Sequence, residues 1–224
     1  MDGIVNALHE RRSKTNRGGE MVYKTEQENF WSGEFGAAYI ERNKGERLIN
    51  ANIVKFSQVL RSAPGVSSVV ELGCNIGLNL QALNRINKDF QLCGYEINEI
   101  AVGKARELGI ADIVQGSIIE PLSSGRKYDL AFTSGVLIHI NPDELGKVYQ
   151  NLYDLSSRYI LVVEYYNPKP VTVNYRGHDN RLFKRDFAGE LIDKFGLKLR
   201  DYGFLYHRDN YFPQDDLTWF LLEK

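Results

Sequence analysis

The apolar positions of this chain follow two alternating spacings, which predict strands separated by helices. Short runs of apolar and β-branched residues predict five strands, at 69–72, 90–96, 113–118, 128–133 and 159–164. Between them, apolar residues three and four positions apart predict helices over 46–62, from Leu78, over 99–108 and from Pro142. Strands that alternate with helices form parallel sheets, so the pattern predicts an α/β fold with helices on both faces of the sheet.

The alternation ends after residue 164, where prolines and charged residues interrupt the apolar pattern. The stretch 165–185, opened by Asn167-Pro168-Lys169-Pro170, is predicted to be irregular and to carry substrate specificity. A helix is then predicted from about Asp186 to Phe195, followed by strands at 197–205 and 217–222. These last strands would form an antiparallel C-terminal pair and complete a seven-stranded, mostly parallel sheet.

The N-terminal region divides into a polar part and an aromatic part. Residues 1–20 are polar and basic, and we expect a flexible leader to a single domain over 21–224. Within 21–62, which is predicted to cap the domain, Phe30, Trp31, Phe35 and Tyr39 stand close together. Two interpretations are open: an amphipathic helix packed on the domain edge, or a lid that closes over ligands.

The stretch 69–80 predicts a strand, a tight turn and the start of a helix. Gly73 and Gly77 allow the backbone to bend sharply and a ligand to approach it. The following helix directs free N–H groups and the positive end of its dipole toward that ligand. Glu71 lies two positions before Gly73, and a second acid, Glu96, ends the next predicted strand about 25 residues on. A carboxylate in that place suits a ribose diol, so the sequence predicts a site for a nucleotide-like molecule.

Composition and charge limit the classes of function. The chain has 224 residues, 43% of them hydrophobic, and a formal net charge of −1. It is long enough for one α/β domain and lacks the basic excess typical of nucleic-acid binders. We expect a cytoplasmic protein, because the first twenty residues lack the apolar core of a signal peptide and no apolar run reaches transmembrane length.

Two cysteines and four histidines bear on redox and metal chemistry. Cys74 and Cys93 are interpreted as reduced thiols, not as a disulfide. Cys74 lies in the glycine turn, either as a small residue that fills the turn or as a reactive thiol. The Cys and His residues lack the spacing of metal ligands, so no metal site is predicted.

The acid-x-Gly-x-x-x-Gly pattern resembles motif I of class I S-adenosylmethionine (SAM) methyltransferases. The resemblance implies a Rossmann-like class I methyltransferase fold, with SAM as cofactor and S-adenosylhomocysteine (SAH) as product. It also implies cofactor contacts from Glu71, Gly73, Cys74, Asn75, Gly77, Glu96, Ile97, Ser117, Ile118 and Ser134. Because aromatic faces attract a sulfonium cation, Trp31 and Tyr39 of the N-terminal cap are further candidates, with Arg42 as a partner for the SAM carboxylate. Near position 117 the methyltransferase pattern commonly has an acid on the adenine amino group, and this chain has a serine instead.

Longer motifs resemble the methylases associated with pseudaminic acid biosynthesis. They are Phe30-Trp31-x-Gly-x-Phe35-Gly-x-x-Tyr39-x-x-Arg42-Asn43, Glu71-Leu72-Gly73-Cys74-Asn75-x-Gly77-x-Asn79-Leu80 and Tyr175-Arg176-Gly177-His178. This resemblance spans most of residues 22–224. It implies an acceptor that is a nonulosonic acid or an amino-sugar precursor in surface-glycan biosynthesis.

Methyl transfer needs an oriented acceptor and, for a hydroxyl, a base that removes its proton. His139 follows the fourth predicted strand and is a candidate base; alternatively, it orders the turn before Asn141 through a backbone hydrogen bond. His178 is a second candidate, as a base or as a substrate ligand.

A basic cluster around His178 is the main candidate for acceptor binding. Its members are Arg176, His178, Arg181, Lys184 and Arg185, preceded by Tyr175. Arginine forks match carboxylate and phosphate groups, so we expect Tyr175, Arg176 and Arg181 to bind a small anionic acceptor. The alternative is a solvated loop, which is the common role of a run of charges.

Other classes of function fit the sequence less well or are left open. An NAD-dependent oxidoreductase would show G-x-G-x-x-G after the first strand. A nucleic-acid base methylase would have an Asn/Asp-Pro-Pro-aromatic box where Thr133-Ser134-Gly135-Val136 stands. A metal-dependent O-methyltransferase would need clustered acids near the fourth and fifth strands. A non-catalytic SAM-binding or scaffold protein, and a methyltransferase for another small metabolite, remain open.

Overall fold

A computed structural model describes residues 23–42, 45–122 and 125–224, with the backbone alone at 41, 42, 178 and 179. The expected leader, 1–20, lies outside the described residues. The helices are α1 Glu26–Ser32, α2 Glu34–Arg42, α3 Glu46–Arg61, α4 Leu78–Ile86, α5 Glu99–Glu107, α6 Leu145–Leu155 and α7 Phe187–Phe195. The strands are β1 Ser68–Leu72, β2 Gln91–Glu96, β3 Asp112–Gln115, β4 Tyr128–Ser134, β5 Ser156–Glu164, β6 Val171–Tyr175, β7 His178–Lys184, β8 Lys198–Leu205 and β9 Leu217–Glu223.

Seven strands form one sheet in the order β3-β2-β1-β4-β5-β9-β8. Strands β1 to β5 are mutually parallel, and β9 runs antiparallel to both β5 and β8. The predicted fold class is thereby confirmed. The chain order reverses between β1 and β4, and open α/β sheets bind their ligands at the carboxyl ends of strands beside such a reversal.

The sheet carries an apolar core on each face. On β5, Ile160 and Val162 face the core formed with α6 and α7, whereas Leu161 and Val163 face the core formed with α3, α4 and α5. All four side chains are buried. Because both faces are covered, the central strands are continuous apolar runs, which is the pattern that predicted them.

The aromatic segment folds as two short helices that meet at Gly33. A capping box starts α1: the Glu28 backbone N–H donates to the Thr25 hydroxyl, and the Thr25 backbone N–H donates to the Glu28 carboxylate. The two helices pack so closely that a Cβ at Gly36 would lie 1.9 Å from the Trp31 carbonyl oxygen. Only glycine fits at that crossing.

Residues 171–184 form a β-hairpin, not the irregular segment predicted after the fifth strand. Strands β6 and β7 pair antiparallel in a separate two-stranded sheet. Arg176 (φ +52°) and Gly177 (φ +85°) form the turn, and two successive positive φ values are typical of a type I′ hairpin. The prediction missed these strands because β6, although apolar and polar residues alternate along it, is largely exposed and directly follows the proline-containing stretch 167–170. The buried Leu182 of β7 attaches the hairpin to the core.

Candidate active site

A cavity of about 370 Å³ opens at the carboxyl ends of β1 to β4, beneath the N-terminal helices and the β6–β7 hairpin. This volume lies in the range of small-molecule sites. Fourteen of the residues predicted for the site line it: Trp31, Tyr39, Glu71, Gly73, Cys74, Asn75, Glu96, Ile97, Ser117, Ile118, Ser134, His139, Tyr175 and Arg176. The side chains of Arg42 and His178 lie outside the described part of the structure.

The turn between β1 and α4 needs its glycines. Gly73 has φ +82°, and a Cβ there would lie 2.6 Å from Cγ2 of Val136. Gly77 (φ +79°) does not line the cavity but is the N-cap of α4. The next two residues, Leu78 and Asn79, do line it. The first N–H groups of a helix have no partner within the helix, so this end of α4 suits a negatively charged ligand group.

Glu96 connects the end of β2 to the glycine turn. Its Oε1 accepts from the backbone N–H groups of Ile97 (2.9 Å) and Asn98 (2.8 Å), and its Oε2 accepts from that of Asn75 (2.8 Å). Burial raises the pKa of Glu96, and the three backbone hydrogen bonds oppose that rise. Each carboxylate oxygen can accept about two hydrogen bonds, so Oε2 retains capacity for a ligand hydroxyl.

A buried polar chain lies below the turn and joins Lys55 of α3 to Glu71 of β1. Nζ of Lys55 donates to Oδ1 of Asn79 (2.9 Å), and Nδ2 of Asn79 donates to Oε1 of Glu71 (2.6 Å). Oε2 of Glu71 is buried without a partner among the described residues. Burial raises the pKa of Glu71 and lowers that of Lys55. The cavity therefore offers an amine and a carboxyl oxygen without a partner, which are joined through Asn79.

Helix α1 contributes polar atoms along the cavity, from Ser117 after β3 to Asn180 on the hairpin. The hydroxyl of Ser117 donates to Oε1 of Glu28. The amide nitrogen of Gln27 donates to the Asn180 carbonyl (3.0 Å), while Oε1 of Gln27 is buried without a partner among the described residues. One turn later, the indole Nε1 of Trp31 is likewise buried and unpartnered within the described structure.

His139 is held between two aromatic rings at the other end of the cavity. Its ring centroid lies 4.5 Å from that of Trp31 and 5.0 Å from that of Tyr175. Its Nδ1 lies 2.6 Å from the carbonyl oxygen of Arg181, which can only accept, so Nδ1 carries the proton and Nε2 the lone pair. Burial lowers the pKa of His139 to about 4, so the ring is neutral at pH 7. The backbone hydrogen bond considered as an alternative role is thus present, although its acceptor lies on the hairpin.

The basic cluster separates into one cavity residue and several structural ones. Arg176 lines the cavity beside Tyr175, with its guanidinium 5.8 Å from that ring. Arg181 does not line it, which differs from the predicted substrate contact, because its guanidinium pairs with Glu26 at 3.2 Å. Arg185 pairs with Glu190, and Lys184 lies over the Tyr165 ring.

Several residues that line the cavity were not predicted from the sequence, although the sequence contains a signal for some of them. Lys55 interrupts a buried stripe on α3, between Ala51 and Val59, and a lysine on an apolar face is unusual enough to mark a site. Gln27 and Glu28 carried no such mark, because their placement depends on how α1 packs. The remaining missed lining residues with polar side chains include Asn52, Asn79, Tyr165, Gln214 and Asp215.

Cys74 should be unreactive in the folded protein. Its side chain is buried, and burial raises its pKa, so the nucleophilic thiolate is disfavoured. We expect almost no alkylation of Cys74 by iodoacetamide at pH 7.5 in native protein, and full alkylation after denaturation, as measured by peptide mass spectrometry. Rapid labelling of native Cys74 would instead support the reactive-thiol interpretation.

The sheet order, the glycine turn and the acid after β2 define a Rossmann-like enzyme with a site for a nucleoside-bearing ligand. The model of the methyltransferase domain family matches residues 39–223, and the chain belongs to this family. The expected enzyme class, a methyltransferase, is confirmed. Comparison of the sequence with curated proteins finds no significant match.

Solved methyltransferase structures share the fold at low sequence identity. A SAM-dependent methyltransferase from Leishmania major superposes with a TM-score of 0.66 at 15% identity, over 90% of this chain and 87% of that one. Magnesium protoporphyrin IX methyltransferase (ChlM) from Synechocystis PCC 6803, with bound SAH, gives 0.62 at 14% identity, over 88% and 97%. DesVI from Streptomyces venezuelae gives 0.59 at 16% identity, over 89% and 99%.

The described residues contain no group of three or more His, Cys, Asp and Glu side chains arranged to hold a metal ion. Their helices include none with the length and apolar character needed to cross a lipid bilayer.

Proposed function

We propose that this methyltransferase moves the methyl group of SAM to a small anionic acceptor, such as a nonulosonic sugar acid. The observation that carries the proposal is the sequence of polar groups along one cavity, which follows the order of the strands. Glu96 lies after β2, the buried Lys55–Glu71 pair lies beside β1, His139 follows β4, and Arg176 lies at the hairpin turn. These groups match, in turn, a ribose, an amino-acid zwitterion, a reacting group and an anion.

The residues present fit the donor. Glu96 has one acceptor position left, on Oε2, for a ribose hydroxyl. The unpaired Oε2 of Glu71 suits an ammonium group, and Lys55, with the N-terminus of α4, suits a carboxylate. Lys55 thus takes the role that the sequence suggested for Arg42. SAM supplies a methyl group activated by a positively charged sulfur, so the chain itself has to orient the acceptor and remove a proton.

The aromatic residues and His139 suit those two tasks. The rings of Trp31 and Tyr39, with centroids 5.2 Å apart, line the cavity, and aromatic faces attract cations and exclude water. Because Nδ1 of His139 donates to the hairpin carbonyl, the basic Nε2 is free to take the proton of an acceptor hydroxyl or amine. The same hydrogen bond fixes the orientation of the ring.

The anionic character of the acceptor is inferred from Arg176. Arg181 and Arg185 are paired with carboxylates, whereas Arg176 has no ion pair with any described side chain. A sugar carboxylate would complete that pair, in agreement with the resemblance to the pseudaminic acid-associated methylases. Gln214 and Asp215 line the same cavity and could bind sugar hydroxyls.

The proposal is tested by calorimetry followed by turnover assays. We expect SAH to bind the purified protein, and SAM to be consumed with a carboxylated amino sugar or nonulosonic acid but not with the matched neutral sugar. Binding of SAH without turnover of any acceptor in the panel would favour a non-catalytic SAM-binding protein. Absence of heat with both SAM and SAH would overturn the proposal altogether.

Replacing Arg176 with asparagine should raise the KM for an anionic acceptor by roughly ten- to a hundredfold, because hydrogen bonds to charged groups contribute about 1.5–3 kcal/mol. Asparagine tolerates the positive φ of this position, so the turn is preserved. Arg176→Lys keeps the charge and should raise the KM less than Arg176→Asn does. The exposed Arg208→Asn serves as a charge-matched control, and steady-state kinetics would contradict the prediction if both asparagine variants behaved alike.

A further inference from the structure

The N-terminal helix α1 presents unpartnered polar atoms to the cavity. Oε1 of Gln27 and Nε1 of Trp31 are both buried without a partner among the described residues, and both side chains line the cavity. Residues four positions apart share one face of a helix. The adjacent Glu28 also lines the cavity, and it and Gln27 are only 7% and 6% exposed. A buried polar group normally has a partner, so these atoms point to a ligand.

The orientation of the Gln27 amide follows from its neighbour. The carbonyl oxygen of Asn180 can only accept, so the amide nitrogen of Gln27 must face it. Oε1 is therefore the atom left free. The side chain cannot rotate to present a donor without losing its bond to the hairpin.

Glu28, next to Gln27 on α1, and Ser117 add further acceptors where the cavity adjoins β3. Oε2 of Glu28 accepts from the backbone N–H and the hydroxyl of Thr25, and Oε1 accepts from the Ser117 hydroxyl, which leaves one lone pair on Oε1. Because that hydroxyl gives its proton to Glu28, Ser117 has no donor left for a ligand. The groups beside Ser117 therefore favour a ligand edge that carries N–H donors, whereas the unpaired N–H of Trp31, whose ring packs against His139, is a donor for the other end of the cavity.

The position of these acceptors relative to Glu96 indicates which part of the donor they meet. Glu96 follows β2, and Ser117 follows the neighbouring outer strand β3. With the amino-acid end of the donor at Lys55 and Glu71 beside β1 and its ribose at Glu96 after β2, the base would continue toward β3, next to Ser117 and α1. The exocyclic amine of adenine is an N–H donor, whereas a 6-oxo purine presents an acceptor there and would face Glu28 and Gln27 with repulsion.

We propose that α1 selects the aminopurine form of the donor, with Gln27 and Glu28 together replacing the acid that the chain lacks near position 117. This inference rests on the proposed function, since it assumes an adenosine-bearing donor. It assigns α1 a role in donor specificity in addition to covering the cavity.

The test compares the affinities of SAH and S-inosylhomocysteine, its 6-oxo analogue, by calorimetry. The wild type should prefer SAH by roughly ten- to a hundredfold, because the analogue leaves buried acceptors unpaired. Glu28→Gln supplies an amide donor to the 6-oxo group and should reduce this preference about tenfold. Gln27→Met removes one acceptor without touching the capping box, and should also reduce the preference.

The control is Glu26→Gln, an exposed residue on the same helix that pairs with Arg181 and does not line the cavity. It should leave the ratio of the two affinities unchanged. If Glu28→Gln and Gln27→Met lowered the affinities for both ligands by the same factor, so that the ratio of the two affinities stayed constant, the inference would be overturned and α1 would have a purely structural role. A wild type that binds SAH and its analogue equally would also overturn it, whereas binding of neither ligand would overturn the proposed function itself.

Discussion

Replacing Lys55 with methionine should lower the affinity for SAH by about a hundredfold and leave that for 5′-methylthioadenosine nearly unchanged. The two ligands share the nucleoside, but methylthioadenosine lacks the amino-acid end. Lys55 is fully buried beside the start of α4, and its bonds to Asn79 (2.9 Å) and to the Ser134 hydroxyl (3.4 Å) use two of its three ammonium protons. The third is available to a ligand carboxylate, so the loss should be confined to the ligand that carries one.

The design of this experiment has to account for Glu71. Removal of Lys55 leaves the Glu71 carboxylate without its nearby cation, and an uncompensated buried charge destabilises a protein. The double variant Lys55→Met, Glu71→Gln removes that charge together with the proposed contact of Glu71 to the ammonium group, so it should discriminate against SAH at least as strongly as Lys55→Met. Lys88→Met, on the exposed surface, is the matched control. If the double variant lost affinity for both ligands by a similar factor, Lys55 would have a role in the fold and not in binding the amino-acid end of the ligand.

The change His139→Asn should lower kcat by roughly a hundred- to ten-thousandfold, the range typical of general acid–base catalysis, with little change in SAH affinity. The amide nitrogen of asparagine can replace Nδ1 as donor to the Arg181 carbonyl, so the hairpin stays in place. Asparagine has no group in the place of Nε2. A kcat close to that of the wild type would show that His139 orders the hairpin and does not move a proton.

The pH profile provides an independent measure of the same residue. Burial lowers the pKa of His139 to about 4 from an ordinary value of 6.5. The base should therefore be active throughout pH 6–8, and the acid side of the pH profile of kcat, where His139 becomes protonated, should have its midpoint near pH 4. Between pH 6.5 and 4 the unfolded chain binds the proton more readily than the folded one. His139 therefore lowers the free energy of unfolding progressively as the pH falls through that window. Thermal unfolding should show a steeper acid loss in the wild type than in His139→Asn.

The features predicted correctly from sequence depend on neighbours along the chain. The parallel strands were predicted because burial on both faces makes them continuous apolar runs, and the glycine turn because Gly73 and Gly77 bracket it. The hairpin was not predicted, because its exposed β6 follows the proline-containing stretch 167–170 and its type I′ turn uses Arg176 at a positive φ, where Asn or Gly is usual.

The parts of the site that sequence reasoning missed come from tertiary packing. Nothing in the order of residues indicates that Glu28 reaches Ser117, 89 positions away, or that the Arg181 carbonyl meets His139. Ser117 did indicate where a contact had to come from elsewhere, since it stands where the methyltransferase pattern commonly has an acid. The structure provides the carboxylate from a different part of the chain.

The attachments of α1 bear on the order in which the substrates bind. The side chain of Asn98, two residues after Glu96, donates to the carbonyl oxygens of Trp31 and Ser32 (both 3.2 Å), and Trp31 packs against His139. The ribose end of the cavity and the acceptor end are therefore braced by one short helix. Such a connection favours a compulsory-order reaction. The nucleoside ligand would bind first and stabilise the side of the cavity that contacts its co-substrate, and it would leave last, as the demethylated product.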